Sequence, residues 1–184
     1  MNRKTDAEIV AEVLKGDRQA YGLLIDAYKG PLFNLALRMT GRPEDADDLT
    51  QETFIRAYEK LHRFDREKKF FTWLYTIGIN LIRNHLKKNE RERAIRAADR
   101  PASVLHNQAE SGREGDYPSE DAVKRLDVTM RSLPVDMQEA ILLKYHQDLT
   151  FEEIADITGD SISAVKMRVY RGLELLKSLM QEGC

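Results

Sequence analysis

Three sets of polar side chains in this sequence recur at the spacing of a helix face, and each set suits a different kind of binding. The first is Ser163, Lys166, Arg168, Tyr170 and Arg171. Lysine and arginine bind phosphate or a guanine edge, and tyrosine adds a hydrogen bond or an apolar contact. Lys166, Tyr170 and Arg171 point one way with Ser163 and Met167 beside them, while Arg168 and Lys177 suit phosphate contact or ion pairing. The second set is Thr76, Asn80, Arg83, Asn84 and Lys87, which offers amides for base edges and cations for phosphate. His85 and Lys88 extend its positive end. The third is Asp45, Asp48, Gln51 and Glu52, a carboxylate-rich face suited to a basic partner. An acidic helix start is also what the macrodipole favours on an ordinary solvated helix, so these residues alone fit either reading.

Catalysis is not suggested. No nucleophile–base pair or phosphate-cradling glycine loop is visible. The cluster Glu44, Asp45, Asp47, Asp48 and Glu52 would need partners from other helices to hold a metal, and only one acidic helix is visible. The expectation is a binding protein without catalytic residues, metal or cofactor.

The elements that carry these sets are helical throughout, and no strand-period alternation outlasts a few residues. Thr150-Phe151-Glu152-Glu153 is a capping box, and the short helix it opens turns Ile154, Ala155 and Ile157 inward and stops at Gly159. Asp160-Ser161 then caps a second helix running from Ile162 to about Met180, with Ile162, Val165, Val169, Leu173 and Leu176 inward. A capped helix, a glycine turn and a longer basic helix make a helix-turn-helix over Thr150 to Lys177. The N-terminal end of its second helix is the part that enters a major groove. Pro134 marks the start of a bracing helix that runs to Tyr145.

Upstream, Ile9, Val10, Val13 and Leu14 form one face of a first helix. A second carries Tyr21, Leu24, Ile25 and Tyr28 and is broken or kinked at Gly30-Pro31, after which Leu32, Leu35, Ala36 and Met39 lead to a stop at Gly41-Arg42-Pro43. Glu44 to Leu61 turns Leu49, Phe54, Ala57, Tyr58 and Leu61 to one side. The helix from about Phe71 to Lys88 has Leu74, Ile77, Gly78 and Leu81 at core spacing. Between Glu90 and Ser119 large apolar groups are scarce, which reads as a flexible linker whose early part extends the preceding helix. The architecture expected is all-α: two small helical domains, 1–90 and 120–184, joined by 91–119.

Bulk properties agree with a binding role set by local charge. The chain of 184 residues has a formal net charge of -2, so any DNA binding must come from segregated patches. Its single cysteine, Cys184, excludes an internal disulfide. No signal-peptide block or membrane-length apolar run is present, and a cytoplasmic location is expected.

The run SLPVDMQEAILLKYHQDLTFEEIADITG, followed by SISAVKMRVYRGLELLK, resembles region 4 of bacterial sigma factors. DADDLTQETFIRAYEKL, from Asp45, resembles sigma region 2.2, and FFTWLYTIGINLIRNHLKK, from Phe70, resembles regions 2.3 and 2.4. The match covers roughly residues 20 to 90 and 120 to 180, in the order and separation of the small extracytoplasmic-function (ECF) sigma factors. This implies a region 2 bundle and a region 4 helix-turn-helix on a chain that binds core RNA polymerase and directs initiation at particular promoters. Asp45, Asp48, Gln51 and Glu52 would then dock on the β′ clamp helices, with the β subunit as a further partner. Thr76, Asn80, Arg83, Asn84 and Lys87, with the loop Phe64 to Lys69, would hold the opened non-template strand of the −10 element. Ser163, Lys166, Arg168, Tyr170 and Arg171 would read the −35 duplex. The resemblance also implies control by an anti-sigma factor, membrane-bound or soluble. Trp73, between Phe71 and Tyr75, fits a helical core better than a stack on DNA. Ala164 and Met167 replace hydroxyl residues common in the family, so the −35 sequence it reads is not inherited from relatives. The competing reading is an autonomous helix-turn-helix regulator binding a palindrome as a dimer.

Overall fold

The computed structural model describes residues 4–98 and 120–182, and among these all regular structure is helical. Helix α1 (Asp6–Leu14) starts from a reciprocal Thr5–Glu8 capping box. Asp17 then accepts two backbone N–H groups at the head of a short 3₁₀ turn, Arg18–Ala20. Helix α2 (Tyr21–Thr40) runs unbroken through Pro31, where the sequence suggested a break or kink. The lost backbone bond is offset by apolar contacts on both sides of the proline: Leu24 precedes it, and Leu32, Leu35, Ala36 and Met39 follow, all buried. Pro43 opens α3 (Pro43–Lys60) at the position where its missing N–H costs nothing.

Helix α4 (Phe70–Ala98) runs past Lys88 into residues 91–98, the early part of the linker segment that was expected to extend it. Its extension is rich in Glu, Arg and Ala, and Glu92 lies 4.0 Å from Lys88 and 3.8 Å from Arg96, one helical turn away on either side. The rest of the expected linker, 99–119, lies outside the described residues. The C-terminal half contains α5 (Glu120–Ser132), α6 (Val135–Tyr145), α7 (Phe151–Thr158) and α8 (Ile162–Glu182).

The two halves each have a local core. Ile9, Val10, Leu24, Phe54, Leu61, Phe70 and Leu74 anchor the N-terminal one, and Met130, Leu133, Ile141 and Leu176 the C-terminal one. They are not spatially separate, however. A third cluster joins Leu35, Ala36, Met39, Tyr75, Ile79 and Ile82 to Leu142, Leu143, Leu149, Ile154, Ile157 and Val165.

The cause lies in α6 and α4, each of which has two apolar faces. All six residues from Gln138 to Leu143 are buried, and a helix apolar on several sides must be covered on several sides. Ile141 packs within the core of its own half, whereas Leu142 and Leu143 belong to the cluster that the two halves share. In α4, Leu74 and Gly78 are buried as expected, but Ile77 and Leu81 are only partly covered; Tyr75, Ile79 and Ile82 are buried in addition. Leu14, Tyr58 and Ile162, expected inside, are 47%, 39% and 39% exposed.

Candidate nucleic-acid interface

The helix-turn-helix is built by local interactions. Thr150 N–H donates to Glu153 Oε2 at 2.9 Å, and Glu153 N–H returns a bond to Thr150 Oγ1 at 3.2 Å. At the other end Gly159 adopts φ 74°, and its N–H reaches Ala155 O at 2.9 Å. That left-handed conformation strains any residue with a Cβ, so glycine terminates α7 here. Ser161 Oγ accepts from Ala164 N–H at 3.2 Å and caps α8. Farther along, a Cβ on Gly172 would lie 2.8 Å from Ile141 Cδ1 and 3.1 Å from Met137 Cβ, so α8 sits tightly on α6 at this position.

Val165, Val169 and Leu176 are buried, which leaves Ser163, Lys166, Met167, Tyr170 and Arg171 exposed along one side of α8. Tyr170 is 58% exposed. Its ring centroid lies 6.4 Å from that of Phe151, and the Phe151 ring also carries Lys166 Nζ at 5.4 Å and Lys144 Nζ at 5.1 Å. Phe151 and Lys144 therefore belong to this basic surface although the sequence reading passed over them. No periodicity marks them, because their meeting depends on how residues 146–150 turn from α6 into α7. Lys144 fixes that turn through a 2.9 Å bond to Leu149 O.

Arg168 does not share the exposed stripe. Its guanidinium is bidentate on Asp160, and its Nε lies 3.1 Å from Asp136 Oδ2. The Arg168 hydrogen bond holds the Asp160 carboxyl below its usual range and raises the arginine in turn. This ties the turn to α6 and α8. Of the five residues expected to touch the −35 duplex, it is the one engaged elsewhere.

On α4, Asn80, Asn84 and Lys87 are exposed and in line, and Thr76 is half-buried with its hydroxyl donating to Thr72 O at 2.9 Å. Arg83, expected beside them, turns toward α6, where Nε and Nη2 each donate at 2.7 Å to Glu139. Glu139 is 1% exposed. Burial shifts its carboxyl upward, against the opposing pull of Arg83. The neighbouring Tyr75 hydroxyl, kept protonated by burial, donates to Gln147 Oε1 at 2.8 Å. Trp73 lies against Phe64 and Phe70, with centroids 5.3 and 5.7 Å away, in the aromatic part of the core.

The acidic residues of α3 line a shallow groove with Leu49, Ile55 and His85. Asp45 is 3.2 Å from His85 Nε2, Gln51 donates to Asp47 at 2.7 Å, and Glu52 accepts from Arg56 Nε at 2.6 Å. Ile55, 53% exposed, is an apolar spot on this polar face. Its spacing of three and four residues from Glu52 and Gln51 was a usable signal. Among the described residues, no three His, Cys, Asp or Glu side chains are grouped to hold a metal.

Residues 24–92 match the family model of sigma-70 region 2, and residues 123–176 that of sigma-70 region 4. The ECF RNA polymerase sigma factor SigW of Bacillus subtilis is 33% identical over 179 residues, covering 94% of this chain and 95% of that protein. The chain belongs to the ECF sigma factors. Members of this family are transcription initiation factors, and the comparisons favour that assignment over an autonomous helix-turn-helix regulator. The fold agrees with two solved complexes. CnrH bound to the cytosolic domain of CnrY gives a TM-score of 0.71 at 23% identity, covering 98% of this chain and 100% of that one. The sigma factor RpoE bound to the anti-sigma factor NepR, from Bartonella quintana, gives 0.65 at 24% identity, covering 88% and 96%. In this ECF sigma factor no described helix is long and apolar enough to cross a membrane.

Proposed function

We propose that this sigma factor reads promoters with two faces and docks on core RNA polymerase with a third. The observation that carries the reading is the stripe Ser163, Lys166, Met167, Tyr170 and Arg171, exposed on the second helix of a capped helix-turn-helix. Such a stripe fits the major groove, with the cations on phosphate or guanine and Tyr170 as an added contact. Asn80, Asn84 and Lys87, with Thr76 and the loop Phe64 to Lys69, form the −10 reader. There an unstacked base is held by amide hydrogen bonds without any bond chemistry. Asp48, Gln51 and Glu52, with Asp45 and Ile55, form the face for the β′ clamp helices, and the β subunit is a further contact. Carboxylates around an exposed isoleucine suit a basic partner surface with an apolar anchor.

The protein works in the bacterial cytoplasm, where polymerase and promoters are. An anti-sigma factor is the expected regulator, a reading supported by the relative solved with one. The deciding experiment is capture of bacterial core polymerase followed by run-off transcription, comparing wild type with Asp48→Ala/Gln51→Ala. Wild type is expected to bind core and support initiation, and the double variant to lose both while keeping its helix content. A wild type that does not bind core overturns the proposal.

A further inference from the structure

The exposed stripe of α8 resolves into two parallel lines, each advancing one helical turn per residue. Lys166 and Tyr170 make one, and both lean toward α7: Lys166 Nζ lies 5.4 Å from the centre of the Phe151 ring, and the Tyr170 ring lies 6.4 Å from it. Ser163, Met167 and Arg171 make the other. Met167, set between a hydroxyl and a guanidinium, is the only member of the stripe without a hydrogen-bond donor. It is 50% exposed and belongs to none of the apolar clusters of the described residues. Its neighbour Arg168, by contrast, is held by Asp160 and Asp136.

We propose that Met167 reads a thymine of the upstream duplex through its C5 methyl group, and so fixes one base of the −35 element that this protein prefers. The proposal rests on the assignment of the α8 stripe as the −35 reader.

Position supports this role. Helix α8 begins at Ile162 and is capped by Ser161, so Met167 lies in its second turn, within the N-terminal part of a recognition helix that faces base edges. Lys166 and Arg171 flank it, and a surface with those cations suits a polyanion rather than an apolar protein face.

Chemistry then selects the base. In the major groove guanine, cytosine and adenine offer hydrogen-bonding groups, and the thymine methyl is the one apolar group on display. A thioether pressed against a donor or acceptor displaces water from it and returns at most a weak hydrogen bond, which costs free energy. Against a methyl it buries apolar surface on both partners, worth about fourfold in affinity for one methyl. The unbranched side chain has three rotatable bonds and can find the methyl over a range of helix placements.

The test loads the full chain on core RNA polymerase and selects bound sequences from a pool of random duplexes. A selected duplex is remade with uracil in place of each upstream thymine in turn, on either strand, which removes one methyl and keeps the hydrogen-bonding edge. Affinities are compared at one salt concentration for wild type, Met167→Ala and Met167→Leu. With wild type, one upstream substitution should weaken binding about fourfold. The same substitution should have no effect on Met167→Ala, whereas Met167→Leu, still apolar, should retain most of the penalty. Thymine and uracil are compared within each protein, so a general loss of affinity cancels. Selected upstream elements without thymine overturn the proposal, as does a wild type indifferent to uracil at every position. A penalty of equal size in wild type and Met167→Ala also overturns it and assigns the methyl to a neighbour such as Tyr170. Failure of the wild type to capture core, or selection of duplexes with no shared upstream element, refutes the sigma reading of the α8 stripe instead.

Discussion

Arg168 and Arg171 lie three residues apart on one basic helix, yet the structure gives them different work, and replacing each separates the two roles. Arg168→Met removes the guanidinium between Asp160 and Asp136 and keeps most of the apolar stem. Exposed ion pairs contribute about 0.2–1 kcal/mol and hydrogen bonds to charged groups about 1.5–3. Arg168 and Asp160 are only about a quarter exposed and fall between these limits, while Asp136, at 49%, adds little. A loss of about 1.5 kcal/mol follows, or a fall in Tm of about 3–6 °C for a chain of this length. Thermal denaturation followed by circular dichroism measures it.

DNA binding supplies the second axis. Each phosphate contact contributes about 0.9 to the slope of log affinity against log salt. With a pool of random duplexes, Arg171→Ala should reduce that slope by about 0.9 and leave Tm nearly unchanged. Arg168→Met should leave the slope intact. An Arg168→Met protein with unchanged Tm and a slope lowered by about 0.9 would refute the assignment and return Arg168 to the DNA.

Further outcomes follow from the same geometry. The Asp160 carboxyl is held below its usual value by Arg168, so its stabilisation is present above the unfolded pKa near 3.8 and disappears as pH falls through the lower folded value. The stability gap between wild type and Arg168→Met should accordingly shrink in acid; a gap constant from neutral pH down to below 3.8 would contradict the pairing. Gly159→Ala should cost about 1–2 kcal/mol from the left-handed backbone alone, read as a lowered Tm. Gly172→Val, against Ile141 and Met137, should lower Tm and weaken duplex binding together, since it spreads α8 from α6. Trp73→Phe should retain promoter opening in a run-off assay, because the indole packs on Phe64 and Phe70; a selective loss of opening at unchanged Tm would place it on DNA instead.

Much of this was legible where the determining physics is local. The Thr150–Glu153 box, the stop at Gly159 and the stripe from Ser163 to Arg171 are set by residues within one or two helical turns, and the structure has them at the expected positions. Prediction from periodicity weakened wherever a helix had two apolar faces. Leu74 and Gly78 marked one side of α4 correctly, but nothing in the spacing said that Tyr75, Ile79 and Ile82 would also be covered by residues some seventy positions away. The same blindness put Arg83 with Asn80 and Asn84, because Glu139 on a distant helix decides where it points. For Arg168 the competing partner Asp160 was eight residues off, within view, but a cation on a DNA-reading helix has two acceptable destinations and the sequence does not rank them.

The ion pairs themselves bear on how the protein meets DNA. Three cations pair with carboxylates of the C-terminal half: Arg83 with Glu139, Lys69 with Glu153, and Arg168 with Asp160 and Asp136. Carboxylates beside these cations screen them from phosphate at little net energetic cost. The exposed members, Lys166, Arg171 and Lys87, would then set the salt-sensitive encounter with DNA. On this view replacing the Arg83–Glu139 pair by the charge-neutral double change Arg83→Met/Glu139→Gln should leave the salt slope for single-stranded DNA unchanged, whereas Lys87→Ala should lower it by about 0.7. A slope lowered by about 0.7 in the pair variant as well would show that Arg83 reaches the strand.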